Sequence, residues 1–323
     1  MLKIFRQNLL ISSILLLPYT ILVRLHDFIY PQPVEAHDGG ILYDLIISVC
    51  KTGMTQSVVA VILIFIQAWM INYMVSRNRL TKNFTSLAGI IYILFMSACV
   101  DMHGLNPIIV ANTFIILFFQ ELFYIYKKPR SAMYLFNAGF YLGMATLVFF
   151  PVIAFVIVGL LGILIINVIS IKRMLQFLIG VSAPIYLFFT LLYFNQSEQD
   201  LWQGVFHFGI PDFSNISLLD YYHLIPAGLG LLFIIFSYNG YMQKQSIQVQ
   251  NKLDLLFWML LFSILIPILS VETSYFLLQI LAFPLAIFLH INFMRLEHDF
   301  VGGMIHLVAL LGIFALHFSV HLG

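Results

Sequence analysis

Charged residues are scarce in this chain. Only 9% of its 323 residues carry a charge and 62% are hydrophobic, whereas a soluble domain has about 25% charged residues. A soluble core of this size could not bury so much apolar surface, but the interior of a lipid bilayer can accommodate it. The net charge is only +1, which gives no basis for expecting a nucleic-acid partner.

Cysteine and the familiar catalytic motifs are also scarce. The two cysteines, Cys50 and Cys99, are too few for a disulfide framework and lack the spacing of metal ligands. The sequence contains no Gly-Lys-Ser phosphate loop, no His-Glu-x-x-His and no Gly-x-Ser-x-Gly, and the missing motifs disfavour ATP hydrolysis and metalloprotease chemistry. It also lacks internal repeats and any soluble segment of domain size, so we expect residues 1–323 to form a single integral membrane domain.

Long apolar runs occupy most of the sequence. A membrane-spanning helix needs about 20 predominantly apolar residues. Runs of this kind predict an all-α bundle of about eleven transmembrane helices, with the first run retained as a span. The stretch 131–171 is too long for one helix and is interrupted at Pro151, so we interpret it as two. The predicted spans are 8–25, 54–76, 84–100, 107–126, 131–149, 152–171, 174–194, 223–243, 253–271, 274–293 and 303–320.

The basic residues predict the orientation of these spans. Positive charges prefer short cytoplasmic loops. With eleven spans and a cytoplasmic N-terminus, all 15 lysines and arginines except Arg24 and Lys51 fall on the cytoplasmic side. This arrangement places the C-terminus outside. Most of the acidic residues fall on the outer side, which the charge rule does not itself require.

Two outer segments are long enough to form structure of their own, 26–53 and 195–222. Within the first, the apolar residues 41–47 are too few to span the membrane. We expect them to form an amphipathic helix along the membrane interface.

Four polar residues on the outer side are the candidate catalytic residues. Asp27 and Asp38 lie in the first outer segment, and Asp101 and His103 lie in the next outer loop. Carboxylates at the ends of neighbouring helices can bind a divalent metal ion, or one can act as a general base toward a hydroxyl group. The alternative interpretation is that all four are solvated loop residues. His317 and His321 have the spacing of one helical turn, but we interpret them as the end of the last helix.

Several short motifs indicate a family resemblance. Leu80–Thr85, Asn106-Pro107 with Ala111-Asn112, 136–151 and Ala183–Tyr186 resemble a family of polytopic inner-membrane proteins of Bacteroidota that has no assigned function. The resemblance covers about residues 55–195. It implies a multi-pass protein of a bacterial inner membrane and no particular activity.

A second resemblance concerns layout. The C-type glycosyltransferases, which use polyprenyl-linked sugars, have an acidic residue and interfacial helices in the first outer loop and a second acidic residue in the next. Asp27 or Asp38, the segment 41–47 and Asp101 occupy similar positions, although the paired acidic residues common in such first loops are missing here. The resemblance implies a glycosyl or phosphoglycosyl transferase that acts at the outer face on a polyprenyl-phosphate lipid, with Asp27 or Asp38 as base.

Two other classes of function fit the sequence. One is a non-catalytic subunit or assembly partner of a cell-envelope complex, which would bind other envelope proteins. The other is a transporter, although transporters typically show repeats and broken helices around a charge at the membrane midplane. All three functions share membrane lipids as partners.

Overall fold

The computed structural model describes residues 9–31, 39–81, 85–98, 104–126, 131–166, 170–194, 224–242, 245–269, 275–295 and 299–319. Every regular element in these ranges is helical. Short 3₁₀ helices over Phe150–Ala154 and Tyr275–Leu281 lead into α8 and α12. The α-helices are α1 (Leu9–Val23), α2 (Leu25–Ile29), α3 (Ile41–Val49), α4 (Gly53–Arg77), α5 (Leu87–Met96), α6 (Pro107–Tyr124), α7 (Ala132–Val148), α8 (Phe155–Ile166), α9 (Ile171–Phe194), α10 (Leu224–Met242), α11 (Ile247–Leu269), α12 (Ala282–Phe293) and α13 (Asp299–Ser319).

Each of the eleven predicted spans contains one helix of this set. Four of the described helical segments are long and apolar enough to cross a bilayer: Gly53–Arg77, Pro107–Tyr124, Ile171–Phe194 and Ile247–Pro267. This indicates that the chain is associated with a membrane. The remaining segments are shorter, α5 with only 10 residues.

The long apolar stretch 131–171 forms two helices, as predicted. Helix α7 ends at Val148, and Pro151 occupies the beginning of the 3₁₀ turn that leads into α8. Proline suits that position because its missing backbone N–H would have no helical partner there.

Glycines allow α7 and α9 to pack with their backbones in contact. A Cβ atom on Gly139 would lie 2.2 Å from the carbonyl oxygen of Phe177, and one on Gly143 would lie 2.4 Å from that of Val181. A Cβ on Gly180 would lie 2.4 Å from the carbonyl oxygen of Phe136. Such close approach of small residues is typical of helix pairs in membranes. Because Gly139 meets Phe177 and Gly143 meets Val181, α7 and α9 run in the same direction, and α8, which connects them in the sequence, runs in the opposite direction.

Contacts at the helix termini define two ends of the bundle. The Ser57 hydroxyl, near the start of α4, donates to the carbonyl oxygen of Asp27 at 3.1 Å, so α1 and α4 are antiparallel. Arg77 at the other end of α4 is 20 residues, or about 30 Å, farther along the helix. We call these ends the Asp27 end and the Arg77 end.

Successive long helices run in opposite directions between these ends. The contacts at the Arg77 end are Ser12–Ser86, Arg77–Tyr124, Lys252–Asn78, Asn251–Ile165, Thr81–His290 and Arg295–Gly240. Those at the Asp27 end are Arg24–Gly104, Gly40–Val148, Asn106–Gln279 and His26–His317. With chain connectivity, these contacts give eleven alternating helical segments from α1 to α13. Of the described basic side chains, Arg77, Arg79, Lys172, Arg173, Lys252 and Arg295 lie at the Arg77 end, while Arg24 and Lys51 lie at the other.

Polar side chains are buried inside the bundle while large apolar ones cover its outside. Gln67 has no exposed surface, and Phe236 is 84% exposed. The Gln67 amide donates to the carbonyl oxygen of Ile109 at 2.6 Å and accepts a hydrogen bond from the Tyr92 hydroxyl at 2.6 Å. Interhelical bonds of this kind join helices in lipid, where burying apolar surface gives little driving force. The distribution is the one expected of a bundle whose outer surface contacts hydrocarbon.

Candidate functional site

A buried ion pair forms the centre of the Asp27 end. Helix α1 ends at Val23, Arg24 turns the chain, and α2 begins at Leu25. The Arg24 Nε atom donates to Asp27 Oδ2 at 2.5 Å, and each side chain is 1% exposed. The two charges compensate each other inside the protein, because an isolated charge there would carry a large desolvation cost.

Arg24 also connects the first span to the loop before α6. Its Nη2 atom donates to the carbonyl oxygen of Gly104 at 3.3 Å. Gly104 has a φ of 71°, a left-handed conformation that glycine adopts without steric penalty. Arg24 therefore holds together two chain segments that are 80 residues apart in the sequence.

Helix α3 covers the same end of the bundle. The Gly40 N–H donates to the carbonyl oxygen of Val148 at 2.8 Å, and the Tyr43 hydroxyl donates to that of Leu105 at 2.6 Å. Tyr43 is fully buried, whereas Val49 on the same helix is 82% exposed. The predicted helix over 41–47 is thus present, with one face packed on α7 and the loop before α6.

Two histidines complete the cluster. His26 and His317 are both buried, with ring centroids 5.8 Å apart, and the His26 ring also lies 5.2 Å from the ring of Tyr30. His317 lies near the end of the last helix, as the sequence indicates, and its ring packs against His26 of α2. His321 lies outside the described residues.

The described part of the chain includes only one of the four candidate catalytic residues. Asp27 is at the centre of the cluster, while Asp38, Asp101 and His103 lie outside the described residues. Their neighbours in the sequence are described: Gly39 and Gly40 follow Asp38, and Gly104 follows His103. Both of these neighbouring segments reach the Asp27 end, through Gly40–Val148 and Arg24–Gly104.

Within the described ranges, no group of three His, Cys, Asp or Glu side chains could hold a metal ion. Hard cations prefer carboxylate oxygens. Of the described carboxylates at this end, Asp27 is engaged by Arg24 and Asp44 lies on α3.

Arg24 was not identified from the sequence as part of the site. From the charge pattern alone, Arg24 is one of two basic residues on the outer side. Its spacing of three residues from Asp27 is a usable signal, because side chains at i and i+3 meet on a helical surface. The contacts made by Ser57 and His317 have no such signal, since their partners lie 30 and 291 residues away in the sequence.

Comparison with known proteins gives one match. A protein-family model described as a family of unknown function (DUF6427) matches residues 38–319, which is most of the chain. No curated protein and no solved structure matches it.

Proposed function

We propose that this chain, which belongs to the DUF6427 family of unknown function, is an outer-face transferase in a bacterial inner membrane. It would transfer a glycosyl or phosphoglycosyl group from a polyprenyl-linked donor during envelope biogenesis, in a member of the Bacteroidota. The family description contains no activity, so the proposal rests on the residues at the Asp27 end and on the C-type glycosyltransferase layout.

The hydrogen bond from Arg24 to Gly104 carries this proposal. It brings the first outer segment and the next outer loop to the same corner of the bundle. Asp101 precedes Gly104 by three residues, so the two Cα atoms lie within about 11 Å of each other whatever the loop conformation. This limit supports the proposal that Asp101 and His103 share a site with Arg24 and Asp27.

The described contact of Asp27 suggests its role, and the other roles are proposed from the sequence. The Asp27 carboxylate is engaged by Arg24, so we assign it to holding the guanidinium in place. Asp38 would be the general base, and Asp101 with His103 would orient the donor phosphate, directly or through a divalent metal ion. In the glycosyl reaction, Asp38 takes the acceptor hydroxyl proton, the hydroxyl oxygen bonds to the anomeric carbon, and the bond from that carbon to the phosphate oxygen breaks to release polyprenyl phosphate.

The proposed topology is eleven spans in one membrane domain over residues 1–323. The N-terminus would be cytoplasmic and the C-terminus outside. Two features support it: the eleven helical segments alternate in direction, and the basic residues collect at the Arg77 end, as the preference of positive charge for the cytoplasmic side predicts. The outer segment 26–53 then lies with the site, and the other outer segment, 195–222, lies outside the described residues.

The proposal can be tested by a transfer assay with the purified protein in nanodiscs. The donor is a polyprenyl-phosphate hexose, the acceptor is total lipid extract from the host membrane, and mass spectrometry measures released polyprenyl phosphate. We expect release by the wild-type protein and a loss of about 10²–10⁴-fold in the Asp38→Asn variant, which is the contribution of a general base. Asp44→Asn on α3 is the matched control and should retain activity.

A non-catalytic role is the second candidate, and a specific observation favours it. Asp27 is already neutralised by Arg24, which is what a purely structural polar cluster would require. In that case lipid-linked sugars in membrane extracts would be the same in cells that express wild-type, Asp38→Asn or Asp101→Asn protein. A difference in the amount of a polyprenyl-linked sugar between these cells would exclude the non-catalytic role.

A further inference from the structure

A large cavity lies apart from the Asp27 cluster, between α5, α10, α12 and α13. Its volume is about 670 Å³, which is within the range of roughly 300–1,000 Å³ typical of ligand pockets. Packed protein interiors have few voids larger than a water molecule. A cavity of this size can hold a ligand.

The walls of the cavity are almost entirely apolar. Leucine, isoleucine, phenylalanine, alanine and glycine line it, and the polar residues among the lining are Asn292 and His306. The Nε2 atom of His306 is 2.9 Å from the Tyr19 hydroxyl, so this nitrogen is engaged within the protein. Apolar cavities are poor sites for water, because a buried water needs two to four polar partners.

The lining of the cavity extends along the helix axes. On α5 the lining runs from Leu87 to Phe95, and on α13 it runs from Ile305 to Ile313. Each run extends over nine residues, and the eight rises between its ends correspond to about 12 Å of helix. This is close to half of the hydrocarbon thickness of a bilayer, which is about 30 Å.

The side of the cavity formed by α10 and α13 is open. Phe233 on α10 and Ile305 on α13 both line the cavity, yet they are 51% and 47% exposed. Outward-facing residues on the same two helices are also apolar and exposed, among them Phe236 and Val308. In a membrane these faces contact lipid tails, so the medium at the opening is hydrocarbon.

We infer that this cavity binds the hydrocarbon chain of a membrane lipid, which reaches it laterally between α10 and α13. The apolar lining, its extent along the helices and the opening toward the lipid phase fit such a chain and do not fit a polar solute. The inference depends on the protein being embedded in a membrane and is independent of the proposed transferase activity.

Helix α5 provides a specific probe of the occupied cavity. All of its residues are buried except the partly buried Phe95, which lines the cavity. A lipid on the outer surface of the bundle would label the exposed faces of α10 and α13, whereas a chain in the cavity would also reach α5. We therefore expect a phosphatidylethanolamine with a diazirine in one acyl chain to crosslink residues within Leu87–Met96 in nanodiscs, as mapped by mass spectrometry of the digested protein.

Glycines on the cavity wall supply the variants and their matched controls. Gly312 lines the cavity, and a Cβ atom there would have nothing within 4 Å; Gly303 on the same helix is equally open but is not part of the lining. Leucine at 312 would fill part of the cavity. We expect Gly312→Leu to lose the α5 crosslink while Gly303→Leu keeps it.

A second pair on α10 covers the case in which the first variant fails to fold. Gly230 lines the cavity, and a Cβ atom there would lie 3.5 Å from its nearest neighbour, whereas Gly228 has nothing within 4 Å and is not part of the lining. We expect Gly230→Leu to lose the crosslink and Gly228→Leu to keep it. Absence of α5 crosslinks in the wild-type protein, or α5 crosslinks that persist in folded Gly312→Leu and Gly230→Leu, would overturn the inference.

Competition with unlabelled lipids shows whether the bound hydrocarbon chain is a prenyl or an acyl chain. If excess polyprenyl phosphate removes the α5 crosslink, the cavity takes prenyl chains. If the crosslink persists with polyprenyl phosphate but falls with unlabelled phosphatidylethanolamine, it takes the acyl chains of bulk phospholipid. Either result supports a hydrocarbon-chain site, and failure of both competitors would indicate non-specific labelling and contradict it.

Discussion

Replacing Asp27 with asparagine is expected to lower the free energy of unfolding by about 3–5 kcal/mol, the cost of removing one partner from a buried ion pair. The variant leaves the Arg24 guanidinium, which is 1% exposed, without its counter-charge. Arg24 also holds the loop before α6 through Gly104, so the loss should extend to the contact between the end of α1 and that loop. The effect is measured by unfolding the purified protein in detergent with heat or with denaturant.

A double substitution separates the ion pair from other effects at this site. When both charges are replaced, as in Arg24→Leu/Asp27→Leu, no unpaired charge remains, and the cost should be smaller than that of Asp27→Asn alone. Asp44→Asn on the same end of the bundle is the control. A change of less than about 0.5 kcal/mol for Asp27→Asn, as is usual for surface positions, would show that the ion pair is not buried in the folded protein.

This result matters for how activity measurements are interpreted. If Asp27 stabilises the fold through Arg24, then loss of transfer in an Asp27 variant reflects the structure of the site and does not identify a base. Asp38 and Asp101 are the informative positions, with their stability measured in parallel.

The second large effect is expected at the interface of α7 and α9. Gly139→Ala adds one methyl group 2.2 Å from the carbonyl oxygen of Phe177, far inside van der Waals contact. The obstructing atom belongs to the backbone and cannot rotate away, so the helices must separate. Overpacking of this kind costs about 1–3 kcal/mol, and it outweighs the gain of up to about 1 kcal/mol that alanine brings to a helix.

The matched control is the same substitution where the space is open. A Cβ on Gly303 meets nothing within 4 Å, so Gly303→Ala should be neutral or slightly stabilising. Adding Gly143→Ala to Gly139→Ala should enlarge the loss, since a Cβ there lies 2.4 Å from the Val181 carbonyl oxygen. Equal stability of Gly139→Ala and Gly303→Ala in the same unfolding assay would contradict the close packing of α7 on α9.

Hydropathy is sufficient to predict where the helices lie because each span must be apolar along its length. It is less accurate at the start of α11, which begins at Ile247 and not at 253. The first turns of this helix are polar, and Lys252 is buried with its Nζ atom 2.7 Å from Asn78 Oδ1. A hydropathy window excludes such a lysine from the span, because its partner lies 174 residues away and cannot be seen locally.

The candidate site is predictable only in part for the same reason. Asp27 can be selected because an acidic residue beside a span is unusual. Its engagement by Arg24 and the approach of Gly104 depend on how α1, α4 and α6 pack, and one sequence carries no direct signal for such distant contacts. Likewise, the glycines at 139 and 143 predict close helix packing, but only the structure identifies α9 as the partner.

The central claim is that the Asp27 end faces outward and that the Arg77 end faces the cytoplasm. Single cysteines test it in a background where Cys50 and Cys99 are serine: Lys51→Cys at the Asp27 end, and Ser246→Cys at the start of α11, both at exposed positions. Seven spans, α4 to α10, separate these sites in the proposed topology. We expect a membrane-impermeant maleimide to label the Lys51→Cys protein in intact cells and the Ser246→Cys protein only after permeabilisation. Labelling of both variants in intact cells, or of Ser246→Cys alone, would contradict the topology and the outer-face site that depends on it.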